Sequence, residues 1–209
     1  MLAAASAQGI HRMVATPHFY PFEDDPRLFL ERRSAAEARL RRAMGENDKN
    51  NAFPQLLMGA EVYYFDGIST SNAVEALCIA DTGLLLLEMP FEPWSDRMLH
   101  EILHLHDRPG ITVLMAHIER YLRFVKPRAL DVLREYGVLM QSNAEFFLSS
   151  KTRRRALRML RRGQIHFLGS DCHNTDTRPQ RMGEALALLA DADRQYLEQG
   201  ICTYFGARP

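Results

Sequence analysis

An α/β domain built on a parallel sheet is predicted by three features of this 209-residue chain: six short, near-continuous apolar runs, helical stretches between them, and a turn signal before each run. Runs that are apolar at both alternating positions suit strands buried on both faces, as in parallel sheets. With 46% hydrophobic residues the chain can bury a substantial core, and its length favours one domain, taken as residues 1–209.

The elements follow in order. Met1 to Ala7 reads as helix, because it lacks the basic start and long apolar stretch of a secretion signal. His11 to Thr16 is the first strand. Asp25 before Pro26 is an N-cap followed by proline at the first helical position, opening a helix from Pro26 to Met44. Asn47 to Asn51 is the most loop-like stretch. Strands at Gln55 to Val62, Gly83 to Glu88, Ile111 to His117, Val138 to Asn143 and Ile165 to Ser170 then alternate with helices. The helices are Ser95 to His106, Pro127 to Glu135, Thr152 to Arg162 and Arg181 to Leu197, with Gly137, Gly163 and Gly200 as stops. Parallel strands joined by right-handed crossovers either close into a barrel or form an open doubly wound sheet.

Composition excludes several classes. The 26 basic and 26 acidic residues cancel, which gives no global reason for binding nucleic acid or an anionic membrane. Apolar runs such as Leu84 to Leu87 are far too short for a bilayer, which needs about 20 residues. Cys78, Cys172 and Cys202 are odd in number and irregular in spacing, so no disulfide framework is expected and a reducing cytoplasm suits the chain.

The strand ends carry the chemistry. His18 closes the first run, Glu61 the second, Glu88 the third and His117 the fourth, while Asp171 and His173 follow the last. In a barrel of parallel strands these C-terminal ends converge on one rim. Grouped buried carboxylates are costly unless a cation neutralises them, and carboxylate with imidazole suits Mn, Fe or Zn rather than Ca. Singly each residue has a plainer role: His18 could cap the turn after Thr16-Pro17, Glu61 could be a solvated strand end, and Asp171-Cys172-His173 could be an Asx turn. Their shared placement favours a multinuclear metal site.

Two other patterns compete. His100-Glu101-Ile102-Leu103-His104 fits the zinc-peptidase His-Glu-x-x-His, but its helix is short, lies between Pro93 and Pro109, and lacks the downstream histidine, position 110 being glycine. Cys172, with Arg178 six residues on, invites a cysteine-phosphatase reading; the spacing is taken as a coincidence of sharing the rim.

The motifs Ala15-Thr16-Pro17-His18, Gly59-Ala60-Glu61, Leu87-Glu88-Met89-Pro90, Ala116-His117-Ile118-Glu119-Arg120-Tyr121, Gln141-Ser142-Asn143-Ala144 and Gly169-Ser170-Asp171-Cys172-His173-Asn174 occur in one order. In that order the chain resembles the PHP-type (polymerase and histidinol phosphatase) tyrosine-protein phosphatases of bacterial capsule and exopolysaccharide systems. The resemblance implies a distorted (β/α)7 TIM-like barrel with up to three metals, usually manganese. It implies His18, Glu61, Glu88, His117, Asp171 and His173 as metal ligands, and Arg120 and Arg178 as the arginines that grip substrate phosphate, a task suited to planar guanidinium. It implies a phosphotyrosine tail of a bacterial tyrosine kinase as substrate and partner; the arginine-rich helix Lys151 to Arg162 could attract such a tail, although helices with many arginines are more often simply solvated.

The family begins with a strand carrying His-x-His and an Asp-Asp-Gly turn, and no His-x-His precedes His18. The expectation is therefore an N-terminally incomplete chain lacking the first barrel strand, its activity in doubt. The expected chemistry is metal-dependent hydrolysis of a phosphate monoester, in which metals lower the pKa of water and hydroxide attacks phosphorus in line. The alternatives are a histidinol-phosphate or other small-molecule phosphatase and a catalytically weakened kinase-binding module.

Overall fold

The computed structural model describes residues 1–47 and 53–206, so the loop expected at Asn47 to Asn51 lies outside the described residues from 48 onward. Strands β1 (Arg12–Ala15) and β3 (Gln55–Met58) form one parallel pair. A second parallel sheet runs in the order β2 (His18–Phe19), β4 (Glu61–Tyr63), β5 (Leu84–Glu88), β6 (Thr112–Met115), β7 (Leu139–Asn143) and β8 (Phe167–Gly169).

The run expected as one strand from Gln55 to Val62 is thus broken into β3 and β4, and β1 and β2 are broken opposite it. Pro17 has no amide to donate between β1 and β2. At the matching break, a Cβ on Gly59 would stand 2.8 Å from Ile79 Cγ1, so this backbone approaches its neighbour more closely than a side chain allows.

The second sheet is curled into a half-barrel. Six strands laid flat would set the outer two about 24 Å apart, yet His18 of β2 and His173 beyond β8 bring their rings to 5.7 Å. Alternation assigns the two faces. Val62, Leu85, Leu87, Val113, Met115 and Met140 point outward into the main core. Val14, Leu84, Leu86, Leu114, Leu139 and Phe167 point inward, where Tyr204 and Phe205 join them. On the inward face the residues turn polar towards the C-terminal ends: Glu88 continues Leu84 and Leu86, and Gln141 and Asn143 continue Leu139. The apolar floor therefore excludes water beneath a polar rim.

The outer core is covered by helices. The longer ones are α2 (Pro26–Asn47), α4 (Asp96–His106), α5 (Pro127–Glu135) and α7 (Arg153–Arg161); α1 (Leu2–Ala7), α3 (Val74–Leu77) and α6 (Ala144–Leu148) are short. Asp25 caps α2 as expected, its Oδ1 accepting from Leu28 N at 3.0 Å. The single helix expected from Arg181 to Leu197 is instead two, α8 (Met182–Ala187) and α9 (Asp191–Phe205). The extended Ala190 separates them, and the Arg194 guanidinium reaches back to the carbonyls of Leu186 and Leu189 at 3.2 and 2.8 Å, satisfying the end of α8. Gly200 does not stop α9. A Cβ there would stand 3.4 Å from the His166 carbonyl, so Gly200 lets α9 lie close to the approach to β8.

Gly83 has a stricter role. Its φ is +71°, and a Cβ would meet the Gly110 carbonyl oxygen at 2.3 Å, where the lead-in to β5 passes the lead-in to β6. Gly83→Ala is expected to destabilise the protein by about 3 kcal/mol, lowering Tm by about 6–12 °C in thermal unfolding. Alanine at Gly110, which has φ +79° but open space around it, should cost only about 1 kcal/mol.

Candidate metal centre

Four of the expected ligands meet at the rim, although His18 and Glu61, expected to close their strands, instead open β2 and β4 because the runs break just before them. His18 Nδ1 lies 3.5 Å from Glu61 Oε2 and 3.6 Å from Glu88 Oε2, and His117 Nε2 lies 2.9 Å from Glu61 Oε1 and 3.3 Å from Glu88 Oε1. One ligand atom from each of His18, Glu61 and Glu88 falls within 4.8 Å of the others. Strand register explains the convergence: β2 pairs His18 with Glu61, and β4 pairs Tyr63, two residues on, with Glu88.

Glu61, Glu88 and His117 are buried. Burial pushes the His117 imidazolium towards deprotonation, but Glu61 and Glu88 outweigh it and hold its pKa well above the usual histidine range. Burial likewise pushes the Glu88 carboxyl up, and His117 and His18 more than reverse this, holding it below the usual carboxylate range. Two carboxylates and two imidazoles thus compensate one another.

The compensation lacks hydrogen bonds. His18 Nδ1 and both ring nitrogens of His117 are buried without an aligned hydrogen-bond partner, although Glu61 Oε1 stands 2.9 Å from His117 Nε2 and the oxygens nearest His18 Nδ1 lie at 3.5 and 3.6 Å. Close but unaligned nitrogen and oxygen donors fit a shared cation, and the set suits Mn, Fe or Zn. His117 also sits at φ +30°, an unusual conformation for a side-chain-bearing residue, and its amide donates to Gln141 Oε1 at 2.6 Å.

Asp171 and His173 stand beside this group in a second one. Asp171, at φ +49°, has its Oδ1 3.6 Å from His173 Nδ1. Its Oδ2 accepts from both Arg120 and Arg178, and from Asn143 Nδ2 at 2.9 Å. Arg178 Nη1 lies 3.1 Å from His173 Nε2. The two expected phosphate arginines, one before β7 and one after β8, therefore meet at one carboxylate on the rim.

Supporting residues escaped the sequence reading. Gln141 ties His117 to Asn143, its Nε2 donating to Asn143 Oδ1 at 3.0 Å, and Asn143 passes the chain of contacts to Asp171. Glu119 accepts from Ser142 Oγ at 3.0 Å and from the Asn143 amide, fastening the turn that carries Arg120 to β7. Burial pushes its carboxyl up. Tyr20 stacks on His18 at 5.4 Å and Phe91 on His117 at 6.0 Å. Gln141 and Asn143, two residues apart, share the inward face of β7, but amides at that spacing carry no signature of a supporting role.

The competing patterns do not form sites among the described residues. His100 and His104 stack on the exposed face of α4, while Glu101 accepts from the amide and hydroxyl of Ser69 at 3.1 and 2.7 Å, which secures a turn. Beyond Cys172, the amides of Asp176, Thr177 and Arg178 all donate to Asn174 Oδ1 at 2.7–3.1 Å, so the loop offers no cradle for a phosphate. Burial raises the Cys172 thiol, opposing a thiolate nucleophile.

The chain has relatives. The family model for capsular polysaccharide synthesis, CpsB/CapC, matches residues 1–203. Tyrosine-protein phosphatase CpsB of Streptococcus agalactiae serotype V is 31% identical over 161 residues, which cover 69% of this chain and 63% of that relative, so the match spans less than two thirds of the relative's length. Tyrosine-protein phosphatase CpsB of Streptococcus pneumoniae is 28% identical over 207 residues, covering 91% of this chain and 80% of the relative. Tyrosine-protein phosphatase YwqE of Bacillus subtilis is 29% identical over 197 residues, covering 90% and 74%. A structure from the crystal structures of YwqE from Bacillus subtilis and CpsB from Streptococcus pneumoniae, unique metal-dependent tyrosine phosphatases, aligns with a TM-score of 0.72 at 25% identity, covering 99% of this chain and 78% of that one.

Proposed function

The chain belongs to the CpsB/CapC family of capsular polysaccharide synthesis, and from that premise we propose that it removes phosphate from phosphotyrosine, on the tail of a bacterial tyrosine autokinase that controls capsule or exopolysaccharide synthesis. The reading takes residues 1–209 as one cytoplasmic domain of the PHP type, a distorted (β/α)7 barrel. Among the described residues no helix is long and apolar enough to cross a membrane. The observation that carries the proposal is the juxtaposition of buried, unaligned imidazole nitrogens and carboxylates with two arginines gathered at Asp171.

His18, Glu61, Glu88, His117, Asp171 and His173 would hold divalent ions, manganese by preference, which lower the pKa of water and offset charge on the phosphate. Arg120 and Arg178 are part-exposed at the mouth of the centre, where each can leave Asp171 for two equatorial oxygens of a phosphoryl group. Asn143 holds Asp171 in place as they do so. Gln141 and Glu119 fix the turn between His117 and Arg120, so that ligand and arginine keep one spacing. A phenolate leaving group, with a reference pKa of about 10, departs with little protonation, and no protein acid needs to donate to it.

Phosphate release with manganese tests the proposal. Turnover of a phosphotyrosine peptide should exceed that of histidinol phosphate; the reverse order would move the chain to small-molecule phosphatases. Arg120→Ala and Arg178→Ala should each lower kcat/KM about 100-fold. Because both side chains meet at Asp171, the double variant should lose well under the product of the two.

A further inference from the structure

The cleft between α5 and α7 lies outside the metal centre but shares an element with it. Ile118 lines the cleft, and Arg120, two residues on in the turn Ile118–Arg120, faces Asp171. The cleft has a volume of about 180 Å³, with Leu122 and Met159 among the apolar residues of its floor. Its rim holds Arg134, Arg155, Arg158 and Arg162 against one carboxylate, Asp131, in a chain whose net charge is zero.

These arginines are not occupied elsewhere. In the same stretch Arg153 donates to the carbonyls of Phe147 and Leu148, and Arg161 pairs with Asp193 at 2.9 Å. By contrast Arg155, Arg158 and Arg162 have no ion pair or side-chain hydrogen bond among the described residues. Arg134 stands 3.8 Å from Asp131, and its Nε is buried without a partner. Like charges clustered at the exposed rim of an apolar floor repel one another, and a ligand carrying both negative charge and an apolar group would relieve that repulsion and cover the floor.

We propose that this cleft docks an acidic peptide segment carrying one bulky apolar side chain, with that side chain on the Met159 floor and its flanking carboxylates on the arginine rim. Size selects the occupant. The cleft is smaller than the roughly 300–1,000 Å³ of small-molecule pockets and suits a single side chain rather than an acyl chain. Its lining includes no aromatic residue on which a base could stack. A methionine floor adapts to different anchors. That the segment belongs to the phosphatase substrate rests on the function proposed above; the binding itself does not. Docked across the shared turn, such a segment would raise the local concentration of a neighbouring phosphotyrosine at the rim.

The experiment is fluorescence anisotropy with a short fluorescein-labelled, unphosphorylated peptide of aspartates and glutamates around one phenylalanine. Saturable, salt-sensitive binding is expected, weakened about tenfold when the phenylalanine is replaced by glycine. The variant Arg155→Glu/Arg158→Glu/Arg162→Glu should weaken it at least about tenfold, and Arg158→Ala alone about threefold, so the result does not depend on the triple variant. With p-nitrophenyl phosphate both variants should match the unsubstituted protein. With a phosphotyrosine peptide extended by the acidic segment, the triple variant should raise KM about tenfold at unchanged kcat. Equal anisotropy for the unsubstituted protein and the variants would overturn the proposal, as would preference for phosphatidylglycerol vesicles over the peptide. Peptide binding that follows the arginines, without any manganese-dependent turnover of p-nitrophenyl phosphate, would sink the phosphatase reading and leave the docking cleft standing.

Discussion

Glu88→Gln is expected to remove stabilisation by manganese and to lower the proposed phosphotyrosine turnover about 1,000-fold. Glu88 follows Leu84–Leu87 as the last residue of β5, buried at the rim with an oxygen turned towards each of His18 and His117. Glutamine keeps its shape but not its charge, leaving Glu61 as the one carboxylate facing the two imidazoles. A cation held by His18, Glu61, Glu88 and His117 would then lose half of the compensating negative charge. Metal at a hundredfold excess over its Kd adds about 2.7 kcal/mol to stability, equivalent to about 5–11 °C in Tm for a chain of this size. The unsubstituted protein should show such a rise in a thermal-shift titration with manganese, and Glu88→Gln should show less than about 2 °C. An equal rise in both would place the metal elsewhere and remove Glu88 from the centre.

That this residue could be chosen from the sequence follows from how a parallel sheet is written. A charged residue at the end of four leucines is buried by the strand that carries it, as Glu88 is at the end of β5, whereas Glu61 reaches the same rim from the first residue of β4 and His117 from the turn two residues beyond β6. Three kinds of information were harder to read. Breaks within a run depend on tertiary contact: the Gly59 backbone is pressed by Ile79, which is distant in sequence, so one expected strand became two. Gly200 reads as a helix stop by composition, whereas packing against the His166 carbonyl makes it part of α9. Residues that position ligands look ordinary in sequence. Gln141 and Asn143 carry no metal-ligand signature, and their role follows only from hydrogen bonds to His117 and Asp171. The His-Glu-x-x-His pattern shows the converse: two histidines on one face of α4 make no site when their glutamate is committed to Ser69.

The largest stability effect is expected at Tyr121, one residue past the turn that carries Arg120. Its side chain is fully buried against Trp94, Phe91 and His117, with ring centroids at 5.1, 5.7 and 5.4 Å. Its hydroxyl accepts from the Met89 amide at 2.9 Å, fixing the backbone immediately after Glu88. The two contributions separate by substitution. Tyr121→Phe keeps the ring and strands one buried amide, a loss of about 1–2 kcal/mol and about 2–8 °C in Tm. Tyr121→Ala also removes the ring that supports His117, a loss of about 4 kcal/mol and about 8–16 °C. Because Met89 follows Glu88, Tyr121→Phe should also weaken manganese binding about tenfold, the usual scale for a residue that orients a ligand from behind. Calorimetric unfolding with and without manganese reads both effects. If Tyr121→Phe lost stability but kept its full manganese shift, the hydroxyl would serve the core alone, and the end of β5 would be positioned for metal by its strand pairing with β4 and β6.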